Sequence, residues 1–141
     1  MASPESRDAR PTKWSVRGIR GLADLRNTQS DNAKYMQFAI TNWVFHELRC
    51  YNAYAGCFAN FSFWRWSSGI EVDFIVNDLD CAIECKSGTE VRGQHLKGLR
   101  ELKREHPDCR RRIVVSREPA SRKTEDGIEI GIAIEGIRDP I

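Results

Sequence analysis

The stretch Ile70-Glu71-Val72-Asp73-Phe74-Ile75-Val76, Asn77-Asp78-Leu79-Asp80, Cys81-Ala82-Ile83-Glu84-Cys85-Lys86-Ser87-Gly88 decides the fold. Two short runs rich in β-branched and aromatic residues flank a cluster of turn formers, which predicts a β-hairpin with strands Ile70 to Val76 and Cys81 to Lys86. A four-residue loop at Asn77 to Asp80 and a two-residue loop at Asp78 and Leu79 give the same register, in which paired residue numbers sum to 157. Asp73 then stands opposite Glu84, and Glu71 opposite Lys86. Lys86 shares a face with Glu84 because strand side chains alternate with period two. Like charges directly opposed on a sheet are destabilising, so two facing carboxylates call for a cation, a shared proton or open water.

Outward from the hairpin, Phe58 to Trp66 reads as an aromatic-rich strand. Met36, Ile40, Trp43, Val44 and Leu48 recur at helical spacing from Ala33 to about Tyr51, with Ser30 to Asn32 available as a cap. After Gly88, Val91 to about His106 reads as a charged helix with a narrow stripe of Leu96, Leu99 and Leu102, ended by Pro107. Ile113 to Ser116 is a short buried strand and Arg117 to Asp126 a polar loop. Ile128, Ile130, Ile132 and Ile134 alternate with Glu129, Gly131, Ala133 and Glu135 as a last strand. The order α-β-β-β-α-β-β predicts an α/β fold, a mixed sheet flanked by helices. Residues 1–32 carry few apolar residues and no sustained period, so a poorly ordered N-terminal extension is expected ahead of a domain at 33–141, with Trp14, Val16, Ile19 and Leu22 as local docking points.

The 141 residues predict one domain, and the 40% apolar and 30% charged composition excludes collagen-like, wholly disordered and coiled-coil classes. Twenty-two Lys and Arg against 20 Asp and Glu leave a formal charge of +2, which gives no overall basicity to mark a nucleic-acid binder. No apolar run is long enough for a membrane span, and Met1 to Arg10 lack the apolar core of a signal peptide, so a soluble cytoplasmic protein is expected. Five cysteines without a Cys-x-x-Cys pair argue for reduced core residues, and three histidines for no zinc centre.

Glu47 follows Trp43 by four and Val44 by three, which predicts an acid inside the apolar stripe of the first helix. Asp73, Glu84, Glu47 and Lys86 together match the needs of magnesium-assisted phosphodiester hydrolysis: hard oxygen ligands for the ion and an ammonium beside the attacking water or scissile phosphate. The plainer alternative is a salt-bridge cluster on a solvated sheet face, with Glu47 a hydrogen-bonded structural acid. Gln94 and His95 open the second helix as ordinary exposed polar residues. The arginines of Lys97 to Arg104 and Arg110 to Arg112 are interleaved with acids, as on a solvated face. Trp64 and Trp66 suit a sheet core and edge better than base stacking.

An acid on one hairpin strand followed by Glu-x-Lys on the next resembles the signature of the PD-(D/E)XK nuclease superfamily, here Glu71-Val72-Asp73-Phe74 and Glu84-Cys85-Lys86-Ser87-Gly88. More closely, Trp64 through Gly88, Leu96 to Leu102, and Phe45-His46-Glu47-Leu48 on the helix before the hairpin resemble the domain of unknown function at the C-terminal end of many prokaryotic AAA-type ATPases. The resemblance covers roughly residues 36 to 135. It implies a restriction-endonuclease-like core, metal ligation by Asp73 and Glu84, catalytic support from Lys86, and an auxiliary acidic role for Glu47 in metal binding. It also implies Mg²⁺ or Mn²⁺ as cofactor, nucleic acid (DNA) as substrate, and an AAA-type ATPase or a second copy as partner. Val72 stands where the superfamily usually has proline, and the chain contains no Gly-x-x-x-x-Gly-Lys-Ser/Thr loop for ATP. The alternative function is a catalytically inactive interaction module acting with such an ATPase; simple nucleic-acid binding through the arginines is a third.

Overall fold

In the computed structural model, residues 12–13 and 32–132 are described. The elements run β1 (Thr12–Lys13), α1 (Asn32–Ala55), β2 (Phe61–Arg65), β3 (Glu71–Val76), β4 (Cys81–Cys85), a 3₁₀ turn (Gly93–Leu96), α2 (Lys97–Glu105), β5 (Arg111–Ser116), β6 (Arg122–Lys123) and β7 (Ile128–Ile132). They build one mixed sheet in the order β1-β2-β3-β4-β5-β7-β6. The strands from β1 to β4 are antiparallel neighbours, β4, β5 and β7 run parallel, and β6 returns antiparallel on β7. The expected α/β architecture, a mixed sheet with helices on it, is what the chain adopts.

The two helices cover opposite faces, as the period of two in the strands requires. On one face Val44 and Leu48 of α1 pack over Phe74, Val76, Cys81, Ile83, Cys85, Ile113 and Val115. On the other, Leu96, Leu99 and Leu102 pack over Val72, Ile75, Ala82, Val114, Ile128 and Ile130, together with Trp64. The predicted leucine stripe of the second helix is therefore a core stripe, although its first turn is 3₁₀ and the α-helix starts only at Lys97. Gly98 lets α2 lie directly on β3: a Cβ there would come 2.6 Å from the Glu71 carbonyl oxygen. All five cysteines are free, and Cys81, Cys85 and Cys109 are buried; burial pushes the Cys81 thiol up to about 12, which leaves it protonated and inert.

The hairpin register is the expected one, with Phe74 opposite Ile83, Ile75 opposite Ala82 and Val76 opposite Cys81 across the four-residue turn. Asn77 takes a positive φ and its Nδ2 donates to Asp80 Oδ2 at 3.0 Å, while Leu79, also at positive φ, is buried against the core. Burial of that leucine offsets the left-handed strain, which costs a β-carbon residue about 1–2 kcal/mol.

Several expectations need correction. The first helix runs on to Ala55, and its sheet-facing side is Val44 and Leu48; Trp43 is 36% exposed and Glu47 only half-buried, so the stripe is narrower than the sequence suggested. The aromatic strand starts at Phe61, not Phe58, which is exposed at positive φ. The loop from Arg117 to Asp126 contains β6. Of the N-terminal extension, Thr12 and Lys13 pair with Phe63 and Ser62. Trp14, Val16, Ile19 and Leu22, the cap residues Ser30 and Asp31, and the end of the last strand lie outside the described residues.

Candidate functional site

β2 advances two residues, Ser62 to Trp64, while β3 advances three, Val72 to Ile75, so β3 carries an extra residue at Asp73-Phe74. Such a β-bulge re-aims side chains, and here it puts Val72 and Ile75, three apart, on the same face. Asp73 sits in the bulge, where its Oδ2 accepts the backbone N–H of Cys85 at 2.8 Å. The carboxylate thus ties the end of β3 to the residue between Glu84 and Lys86.

Glu84 is buried, 7% exposed, and Lys86 Nζ lies 2.8 Å from its Oε1. Its other oxygen, Oε2, is buried and has no hydrogen-bond partner among the described residues. An unpaired buried acceptor costs about 1–3 kcal/mol. Burial, reinforced by the neighbouring Asp73 carboxylate and opposed by Lys86, raises the Glu84 carboxyl from 4.5 to about 8. For Lys86, burial alone would lower the pKa, but attraction to and hydrogen bonding with Glu84 outweigh it and hold the ammonium charged. Among the described residues the pair of acids is thus short of positive charge, with only Lys86 beside it. It either shares a proton or takes a second cation.

The backbone around Lys86 is clamped from both sides. Lys86 N–H donates to Val115 O of β5 at 2.9 Å. Gln37 of α1 donates through Nε2 to Cys85 O at 2.6 Å and accepts Ser87 N–H on Oε1 at 2.9 Å, so its amide imitates a neighbouring strand. Thr41 Oγ1 donates to Gln37 O, and Gln37 Nε2 also lies 3.5 Å from Thr41 Oγ1, which fixes Gln37 along its own helix. No motif pointed to Gln37. Its signal is only positional, a polar residue on the helix side that carries Thr41, Val44 and Leu48.

The structure brings Asp73, Glu84 and Lys86 together and leaves Glu47 apart. Glu47 is ten residues beyond Gln37, about 15 Å of helix rise, and among the described residues no group of three or more His, Cys, Asp or Glu side chains is placed to hold a metal. Glu71, expected opposite Lys86, instead has Arg65 at 3.8 Å across β2, because the ladder between β3 and β4 ends at Phe74 and Ile83. Gln94 and His95 lie in the exposed 3₁₀ turn, where His95 Nδ1 accepts Arg92 N–H.

Several arginines outside this cluster are held by acids. Arg111 and Glu129 form a two-bond pair, Arg104 bonds Glu101, and Arg100 and the buried Arg112 both reach Asp126. Glu118, also buried, accepts Val91 N–H and two bonds from Arg122, which closes the segment before β6 onto the start of the 3₁₀ turn. Among the described residues no helix is long and apolar enough to cross a membrane.

A divalent ion fits the donor set of Asp73 and Glu84. Mg²⁺ is commonly held by only one or two carboxylates and keeps several waters that substrate oxygens replace, and Glu84 Oε2 is buried with no hydrogen-bond partner among the described residues. The comparisons with curated proteins and with solved structures give no match. A family model does match, over residues 38–134, about two thirds of the chain, and it spans the hairpin, Asp73, Glu84 and Lys86. On that match the chain belongs to the family described as Domain of unknown function (DUF4143).

Proposed function

We propose that the chain is a metal-dependent phosphodiester hydrolase of the PD-(D/E)XK kind, acting on nucleic acid and on DNA in the first instance. The observation that carries this reading is the buried Glu84 carboxyl, with one oxygen on Lys86 and the other without a hydrogen-bond partner among the described residues, beside Asp73 at the bulge. Asp73 and Glu84 would hold Mg²⁺ or Mn²⁺; bound there, the ion supplies Lewis acidity and lowers the pKa of its water. Lys86 keeps its charge beside the two acids and provides an ammonium for the attacking water or the developing phosphate charge. The bond from Asp73 to Cys85 N and the Gln37 clamp hold these three residues in fixed relation without the help of a substrate. The test is cleavage of duplex and single-stranded DNA in Mg²⁺ and Mn²⁺ by the wild type, Asp73→Ala and Lys86→Ala. Cleavage lost in both variants, with unchanged circular dichroism, supports the reading; cleavage that survives both removes the site.

A second reading, a non-catalytic module that docks on a partner such as an AAA-type ATPase or a second copy, draws on the exposed Tyr35, Met36, Trp43 and Tyr54 of α1. It expects no divalent-ion dependence and a partner-dependent change in size by light scattering.

A further inference from the structure

We infer that Arg117 is the contact of this site with a substrate phosphate, an inference that rests on the reading of the site as a phosphodiester hydrolase. β4 and β5 run parallel, so Lys86 and Arg117 leave the sheet at the same edge, the carboxyl end where parallel sheets bind ligands. Arg117 is fixed there twice: its backbone N–H donates to Gly88 O at 3.2 Å and its Nε to Ser87 O at 2.7 Å. Ser87 directly follows Lys86.

With Nε committed to a carbonyl, the outer edge of the guanidinium, the two Nη groups, remains for another acceptor. No carboxylate among the described residues pairs with it, in contrast to Arg92, Arg100, Arg104, Arg111, Arg112 and Arg122. The adjacent acid, Glu118, is turned onto Val91 N–H and Arg122 and does not offset the charge. Arg117 is exposed, positioned by backbone, and neutralised by no carboxylate among the described residues. A planar fork of this kind matches two oxygens of a phosphodiester, and the phosphate it would take is one flanking the bond cut at Asp73 and Glu84.

The test compares Arg117→Gln with Arg110→Gln, which removes the same charge from the opposite end of β5, where Arg110 N–H bonds Leu79 O. Binding of a fluorescent DNA duplex is measured by anisotropy across a salt series in Ca²⁺, with thermal melts to match the folded fraction. Arg117→Gln is expected to weaken binding about tenfold or more and to flatten the salt slope by about one, while Arg110→Gln changes little. Equal effects of the two substitutions, or no effect of Arg117→Gln, overturn the inference. If Asp73→Asn still abolishes divalent-ion binding in that case, the hydrolase reading stands without Arg117; if the wild type shows no salt-dependent binding of duplex or single-stranded DNA, both fall.

Discussion

Replacing Glu84 by glutamine should stabilise the domain at neutral and alkaline pH and have little effect at pH 4.5. The carboxyl binds its proton more tightly in the folded chain, at about 8, than unfolded, at 4.5. Below 4.5 both states are protonated, and the stabilising difference in proton binding is fully present. From 4.5 upward the unfolded chain releases a proton that the native state keeps, so stability falls by about 1.4 kcal/mol per pH unit until the folded group ionises near 8. At pH 7 the loss amounts to about 3 kcal/mol. Glutamine cannot ionise and escapes it, and because the native Glu84 still holds its proton at pH 7, the attraction to Lys86 already counted in its pKa adds no separate cost. The gain at pH 7 is therefore about 3 kcal/mol. Urea unfolding of wild type and Glu84→Gln at pH 4.5, 6, 7 and 8, in EDTA, reads this as a growing difference in midpoint at constant slope. A variant less stable than the wild type by the same amount at every pH would refute the reasoning. It would make Glu84 the anionic half of a structural ion pair rather than a strained acid kept for function.

Two further predictions concern what holds the site. Gly98→Ala should destabilise by about 1–3 kcal/mol in urea, because its methyl group would meet the Glu71 carbonyl and push α2 off β3; a neutral result would show that the helix can retreat freely. Gln37→Ala should cost about 1 kcal/mol of stability and also weaken Mn²⁺ binding several-fold, since both bonds beside Lys86 are lost; unchanged metal affinity would confine Gln37 to a structural role.

The hairpin was legible because two β-branched and aromatic runs flank distinctive turn residues, and the turn alone sets the register of Phe74 with Ile83. From that register Asp73, Glu84 and Lys86 come together without further information. What lay beyond the register was not readable. The bulge at Asp73-Phe74 arises from the pairing with β2, and it decides which way the carboxylate turns. Glu47 looked inward because α1 carries apolar residues on several sides, and only the packed sheet shows that Val44 and Leu48 define its buried line. Gln37 and Arg117 act through the backbone of residues 50 and 30 positions away, a relation that no spacing encodes. β6 is two residues long and exists because Arg122 and Lys123 pair with Ile130 and Glu129, too short for any period to register.

On the function proposed above, Asp73 and Glu84 form a divalent-cation site. Isothermal titration of Mn²⁺ into wild type and Asp73→Asn at pH 8, with a DNA duplex present in both so that phosphate oxygens can complete the coordination, tests it most directly. One ion per chain bound by the wild type, with binding lost in Asp73→Asn while the fold is kept, is the predicted result. Equal Mn²⁺ binding by the two proteins, or none by either, would contradict it.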